Sequence, residues 1–449
     1  MENEYLMESD DQSSSESTDN RNNDDEYDDN ERDDHVATTE QVLHRIECLI
    51  CDMVDALDQG RLPILETFRV NKNHMDDNER TVSTGTAATT AARTAATRRI
   101  RKDFSLQQAR SMTSIILVLD YCYQLLQQRK TTTVREVYYA HVTHFRNQNE
   151  CDIAIRDAAV LLHVPRHSLG LQASAKGWFC GDVQIIRRHD QDYNHHHHHH
   201  PNDEDGSDTL LDGRQLWHSI HGSIIGSEWL DNRQQRNFTV QTKAAHCILV
   251  IEKEGIYRRL AQDRFFDHWP CVLVTGKGFP DLSTRAFVHT LHNTLQLPVW
   301  GLADGNPFGV LVLNTYARGS LQRGLDGGDR FSVPIQWVGL RASQMETLLS
   351  TTDLPPAVVQ PLAPLDVQRI AKTLLSERGH GWVDTPDERI NEARYEELET
   401  LLEGGTKMEL EALHWLGMDY LGEWLSKVFQ YNLEERTEDD DSVPHLEIL

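Results

Sequence analysis

The stretch Cys247-Ile-Leu-Val-Ile-Glu252-Lys-Glu, read with Leu297-Pro-Val-Trp-Gly-Leu-Ala-Asp304-Gly-Asn306-Pro307, decides the fold. Each is an apolar run long enough for one buried strand, and each ends in an acid. Further runs predict strands at Cys271–Thr275 and Pro334–Leu340, with helices between the first three strands. Strands alternating with helices form βα units, and these build a parallel sheet. Ligands of such sheets sit at the carboxyl ends of the strands. Glu252 and Asp304 are therefore delivered there as hard oxygen donors of the kind that suits Mg²⁺. Either acid alone reads as a salt-bridged strand end or an Asp-x-Asn-Pro turn. The pair, taken with what precedes it, points to chemistry.

Working outward, the chain has 449 residues, with Lys+Arg 44 against Asp+Glu 71 and a net charge of -27. Taken alone, that charge argues against a nucleic-acid binder. Its distribution weakens the objection. Residues 1–40 hold 16 acids and 2 arginines, so roughly half of the excess lies in a tail that cannot bury a core. A second acidic tail closes the chain at 433–449. The middle is closer to balance and carries local basic clusters. No run is apolar enough to span a bilayer, and the acidic N-terminus is the opposite of a signal peptide. Seven cysteines, an odd count, imply a reducing compartment. Cys48 and Cys51 have CxxC spacing, but no second pair follows and their flanks read as an amphipathic helix.

The segment 41–80 has helical spacing at Val42, Ile46, Ile50, Val54 and Leu57. Residues 81–102 are rich in Thr and Ala and end in Arg98-Arg-Ile-Arg-Lys102, which reads as a solvated linker or as a weak nuclear-localisation or phosphate-contact patch. From 103 to 188 three helices are expected: Leu106 to Gln128, a second from Thr133, and a third from Asp152 to His163. Ser168-Leu-Gly-Leu-Gln, a turn at Ala175-Lys176-Gly177 and an arm at Trp178 to Val183 read as a hairpin, which would complete the outline of a winged helix. A polar insertion at 189–215 contains His195 to His200 and has no functional geometry. The sheet domain then runs over 216–432 and is mostly helical near its end.

The second helix reads Thr133-Val-Arg135-Glu136-Val-Tyr138-Tyr139. Thr133 with Glu136 forms a capping box, which gives Glu136 a structural role. Val134, Tyr138, Val142 and Phe145 share an apolar face, so Tyr138 is expected in the core. Tyr139 is rotated away, toward Arg135 one turn back. A phenol is a poor nucleophile at neutral pH; a guanidinium beside it favours the phenolate and can hold a phosphate oxygen. Alone, this helix reads first as a surface tyrosine with a cationic neighbour.

Together these segments resemble one family: the topoisomerase VI A subunit, with its eukaryotic relatives, the meiotic double-strand-break transesterases. The resemblance is carried by Arg135-Glu-Val-Tyr-Tyr139, Ser168-Leu-Gly-Leu-Gln-Ala-Ser-Ala-Lys176-Gly, Val250-Ile-Glu252-Lys-Glu, Thr275-Gly-Lys277-Gly-Phe279-Pro-Asp281-Leu-Ser-Thr-Arg285, Asp304-Gly-Asn306-Pro307-Phe-Gly309 with Tyr316-Ala-Arg-Gly-Ser320, and Val338-Gly-Leu-Arg341. It implies an α+β winged-helix (CAP-like) DNA-binding domain, followed by an α/β Toprim domain with a parallel sheet and C-terminal helices.

The resemblance also implies roles. Tyr139 would attack a DNA phosphorus, leaving a 5′-phosphotyrosyl link and a free 3′-hydroxyl, with Arg135 steadying the phosphate or phenolate. Glu252, Asp304 and Asn306 would hold Mg²⁺. Lys176 in the wing, Lys277, Phe279 and Arg285 would contact double-stranded DNA. The active site would form between two protomers, as a homodimer or a heterodimer with a paralogue, beside an ATPase resembling the topoisomerase VI B subunit, in the nucleus. The family motif reads Asp-x-Asp-Pro; here Asn306 replaces the second acid, as in the second meiotic paralogue of plants and protists. Three functions follow: a meiotic break-making transesterase of the type IIB topoisomerase class, a true topoisomerase VI A subunit that reseals its cuts, or a catalytically impaired scaffold paired with an active paralogue.

Overall fold

A five-residue run such as Cys247–Ile251, buried at every position, fits only a strand covered on both faces. The computed structural model describes residues 37–70, 97–103, 105, 108–172, 174–187, 209–215, 222–230, 237–318, 331–377 and 388–438. Most of the acidic N-terminal tail, residues 71–96, the histidine run and the end of the chain lie outside the described residues.

The central sheet has six strands, in the order Ile335–Gly339, Val299–Leu302, Cys247–Ile251, Cys271–Thr275, Trp178–Gly181, Ser223–Ile224. The first four are mutually parallel, as the βα pattern predicts. Helices Glu254–Gln262 and Leu282–Leu295 supply the crossovers. Alternate residues divide the sheet between two cores. Ile248 and Val250 pack with Phe287, Val288 and Leu291. Cys247, Leu249 and Ile251 pack with Ile256, Tyr257 and Leu260, and with Leu425 and Phe429 of the final helix. Trp300 meets Phe429 edge-on, with ring centroids 4.7 Å apart.

The hairpin expected at Trp178 to Val183 is not a wing. Trp178–Gly181 runs antiparallel to Cys271–Thr275 inside the central sheet. The physical reason lies in its side chains: Phe179 enters one core and Cys180 the other, which a half-exposed wing would not permit. The next strand, Gln184–Arg187, belongs to a separate three-stranded sheet with Thr209–Asp212 and Phe238–Gln241.

Residues 109–172 form a helical unit with a third core. Its helices are Ala109–Gln127, Val134–Ala140 and Gln148–Leu161, and the third starts four residues earlier than expected because Asn147 caps it. Helix Thr39–Asp58 packs on the same core through Val42 and Ile46. The rest of its apolar stripe, Ile50, Val54 and Leu57, is exposed.

That first helix ends at Asp58, well before the end of the 41–80 segment. Gly60 adopts a left-handed φ of 70°, and the chain continues as strand Ile64–Val70. Its antiparallel partner is Thr97–Asp103, so the basic end of the expected linker is a strand. Among the described residues, no helix is long and apolar enough to cross a membrane.

Candidate functional site

The tyrosine helix is fixed at its start. Thr133 Oγ1 accepts from Glu136 N at 3.2 Å, and Glu136 Oε2 accepts from Thr133 N at 3.1 Å, closing the capping box. The Thr132 hydroxyl also donates to Glu136. These donors hold the Glu136 carboxyl below its ordinary range, so its charge serves the cap. Thr132–Thr133 pairs in parallel with Leu171–Gln172, which ties the helix start to the end of the helical unit.

From that start, Val137 is fully buried, Tyr138 packs partly against the core and Tyr139 is 55% exposed. Arg135 donates from its guanidinium to the Tyr139 hydroxyl at 3.3 Å. The guanidinium carbon also lies 5.7 Å from the ring centroid. Tyr138 and Tyr139 have tilted rings with centroids 5.4 Å apart. Val142 departs from the expected apolar face. The helix ends at Ala140, its period is lost, and Val142 is exposed while Phe145 reaches the core through the following turn.

The acid pair sits on neighbouring strands. Glu252 follows Ile251, Asp304 lies two residues past Leu302, and those two strand residues are register partners. Asp304 N donates to Glu252 Oε2 at 3.0 Å. Burial, then the charge of Asp304, pushes the Glu252 carboxyl up to about 7. Asp304 is 3% exposed. Its Oδ1 accepts from Leu410 N at 2.9 Å, and its Oδ2 pairs with Lys253 Nζ at 3.0 Å. Burial still raises the Asp304 carboxyl, so these two donors compensate only part of the desolvation. Gly309 lets the next helix approach: a Cβ there would meet the Asp304 carbonyl oxygen at 2.5 Å.

Lys253 is the residue that the motifs did not single out. Its ammonium also meets Glu409 at 3.0 Å and Glu411 at 2.6 Å, and the three acids hold it charged well above its ordinary range. The only sequence signal is its position directly after Glu252. Asn306 has a structural role, since its Oδ1 accepts from Phe308 N and Gly309 N, both at 2.9 Å, and so caps helix Pro307–Arg318. Glu254 already lies in a helix and pairs with Arg258 at 2.5 Å.

A turn after the second strand leans on the pair. Lys277 and Gly278 are both left-handed, at φ 53° and 86°, and Gly278 N donates to Glu252 O at 2.7 Å. Lys277 Nζ stands 3.4 Å from the Trp178 ring centroid and 3.6 Å from Glu254. Lys176 Nζ donates to the Phe279 carbonyl at 3.0 Å, while its backbone N–H donates to Asp281 at 2.9 Å. Lys176, Lys277 and the 46% exposed Phe279 thus gather beside Glu252. Arg285 does not join them. It is 1% exposed in the sheet domain, and a buried guanidinium cannot meet a duplex. Its place in the first turn of Leu282–Leu295 points it into the core.

A parallel sheet with Glu and Asp at adjacent strand ends, beside a helical unit that exposes a tyrosine, defines a Toprim-type α/β protein. The family model for the topoisomerase 6 A-subunit/Spo11 Toprim domain matches residues 247–427, and the one described as type IIB DNA topoisomerase matches residues 110–171. The chain is 31% identical over 324 residues to meiotic recombination protein SPO11-2 of Oryza sativa subsp. japonica, covering 71% of this chain and 73% of that protein. It is 32% identical to the SPO11-2 protein of Arabidopsis thaliana over the same shares. Against meiotic recombination protein SPO11 of Mus musculus it is 27% identical over 86% of each chain. The chain belongs to the topoisomerase 6 A-subunit/Spo11 family.

Proposed function

We propose that this chain is a DNA-cleaving tyrosine transesterase that makes meiotic double-strand breaks and so initiates meiotic recombination. The observation that carries the reading is the exposed Tyr139 with the Arg135 guanidinium against its hydroxyl at 3.3 Å. That placement leaves the nucleophile open to a duplex and sets a cation against its oxygen. In the step proposed, the Tyr139 oxygen attacks a backbone phosphorus and the P–O3′ bond breaks. The phenolic proton is lost, the departing 3′-oxygen gains one, and the protein is left on the 5′-phosphate. Arg135 can turn its fork from the phenol to a phosphate oxygen.

Glu252 and Asp304 fit a divalent cation. Two linked carboxylates, one buried and one driven up to about 7, form a site short of positive charge. Mg²⁺ commonly takes one or two carboxylates and completes its shell with water and substrate phosphate oxygens. These two acids would hold it, and its chemistry there is to neutralise charge that develops on the phosphate and departing oxygen. In this reading Asn306 serves mainly as the cap of the following helix, through the two N–H groups its Oδ1 accepts.

The helical unit serves in this reading as the DNA-binding, winged-helix-like part, without its wing strand. Lys176, Lys277 and Phe279 would line the path of the duplex. The Arg135 and Tyr139 bonds stay within one helix of that unit. By its family resemblance, the reading takes the acid pair that serves Tyr139 from a second protomer, a copy or a paralogue, with an ATPase subunit resembling topoisomerase VI B. A role in meiotic recombination places the chain in the nucleus. Covalent capture tests the proposal: meiotic cells should yield protein–oligonucleotide adducts from the wild-type chain and none from Tyr139→Phe.

A further inference from the structure

Both oxygens of Asp304 are already engaged. Oδ1 accepts the Leu410 N–H at 2.9 Å, and Oδ2 holds the Lys253 ammonium at 3.0 Å. A cation approaching Asp304 at Oδ2 therefore meets a positive charge in its place. That charge has somewhere to go. Glu409 and Glu411 flank Leu410, contact the same ammonium at 3.0 and 2.6 Å, and remain 59% and 45% exposed at their side chains. One short segment thus supplies the N–H that orients Asp304 and two carboxylates that grip its counter-ion.

We propose that Lys253 is a resident counter-ion which a divalent cation displaces from Asp304, and that Glu409 and Glu411 retain its ammonium when it leaves. This deepens the reading of Glu252 and Asp304 as the metal pair and rests on it. Before metal arrives, Lys253 offsets the repulsion that two adjacent carboxylates would otherwise feel in a buried place. When metal binds, the lysine keeps a counter-charge, because it stays with acids that are already in contact with it. Lys253 is a positioning residue in this scheme. Glu409 and Glu411 act on metal affinity chiefly through it, with a smaller direct effect of the Glu411 charge on the pair.

The test is Mg²⁺ binding to the full chain without DNA, by calorimetry, with Mn²⁺ electron spin resonance as a second reading. Lys253→Met removes the competitor and should tighten binding by roughly five- to tenfold. Glu409→Gln with Glu411→Gln strengthens the hold of Lys253 on Asp304 and should weaken binding by a similar factor. In the Lys253→Met background, the same two Gln changes should shift affinity by less than about twofold, since their effect passes through the lysine. Binding weakened there as much as in the wild-type background would overturn the proposal, because the effect of the two acids would not pass through the lysine. Equal affinity of Lys253→Met and wild type would also overturn it. Should Lys253→Met fail to fold by circular dichroism, the Gln pair decides, because unchanged affinity there excludes any retention of Lys253. Failure of the underlying reading looks different: Glu252→Gln and Asp304→Asn would then bind Mg²⁺ as the wild type does.

Discussion

The backbone N–H of Asp304 donates to Glu252 Oε2 at 3.0 Å, so the two acids are held as a unit by neighbouring parallel strands. The geometry makes each acid part of the other's electrostatic environment. Burial, then the charge of Asp304, raises the Glu252 carboxyl, and the Asp304 N–H offsets only part of that.

A pH dependence follows from that shift. The ordinary carboxyl value is 4.5, and in the fold Glu252 is pushed up to about 7. Between those values the folded chain holds a proton that the unfolded chain has lost. Metal-free stability from this group is therefore greatest below 4.5 and falls as pH rises through 7. Mg²⁺ needs the ionised acid, so its affinity should rise across the same window. Thermal melts from pH 4.5 to 7 should show the loss in wild type and a flatter profile in Glu252→Gln.

Asn306 separates capping from coordination. Removing its Oδ1 in Asn306→Ala strands two backbone donors and should cost about 1 kcal/mol of stability. Asn306→Asp keeps the acceptor and should melt near the wild type, with Mg²⁺ affinity within about threefold. A much tighter site in Asn306→Asp would return this residue to the ligand set.

Phe279 and Arg285 should behave oppositely. The exposed Phe279 contributes little to the core, so Phe279→Ala should leave the melting temperature near wild type. It should weaken DNA binding by about 1 kcal/mol or more through lost stacking. Arg285→Ala should instead lower the melting temperature, by an amount equivalent to at least about 1 kcal/mol. Fluorescence anisotropy and melts on both variants distinguish the two roles.

The four parallel strands were legible because a short apolar run flanked by turn residues has few other places to go. The capping box gave the tyrosine helix its start, and the i, i+4 spacing put Arg135 beside Tyr139. Trp178–Gly181 was misread because a strand buried on both faces and a hairpin arm look alike over four residues. Its partner, Cys271–Thr275, lies some ninety residues on. The long-range half of the acid site was hidden for the same reason. Lys253 meets Glu409 and Glu411 across separations of 156 and 158 residues, and no local pattern marks such a contact. Arg285 was misplaced because a cation in a turn motif reads as exposed, whereas its helix turns it inward.

The capping box sets the presentation of the tyrosine. Thr133→Ala removes the acceptor for Glu136 N and should cost about 1 kcal/mol. It should also reduce break formation without touching Tyr139 itself, because the first turn that aligns Arg135 with the phenol is loosened. Thr133→Ser, which retains the hydroxyl, should restore both stability and break level.

The central claim is that Tyr139, not its neighbour Tyr138, becomes joined to DNA. Adducts purified from meiotic cells, trimmed with nuclease and digested to peptides, can be mapped by mass spectrometry. The nucleotide should lie on Tyr139, with Tyr138→Phe leaving adduct yield near the wild type and Tyr139→Phe abolishing it. A nucleotide on Tyr138, or adducts that persist in Tyr139→Phe, would contradict the account.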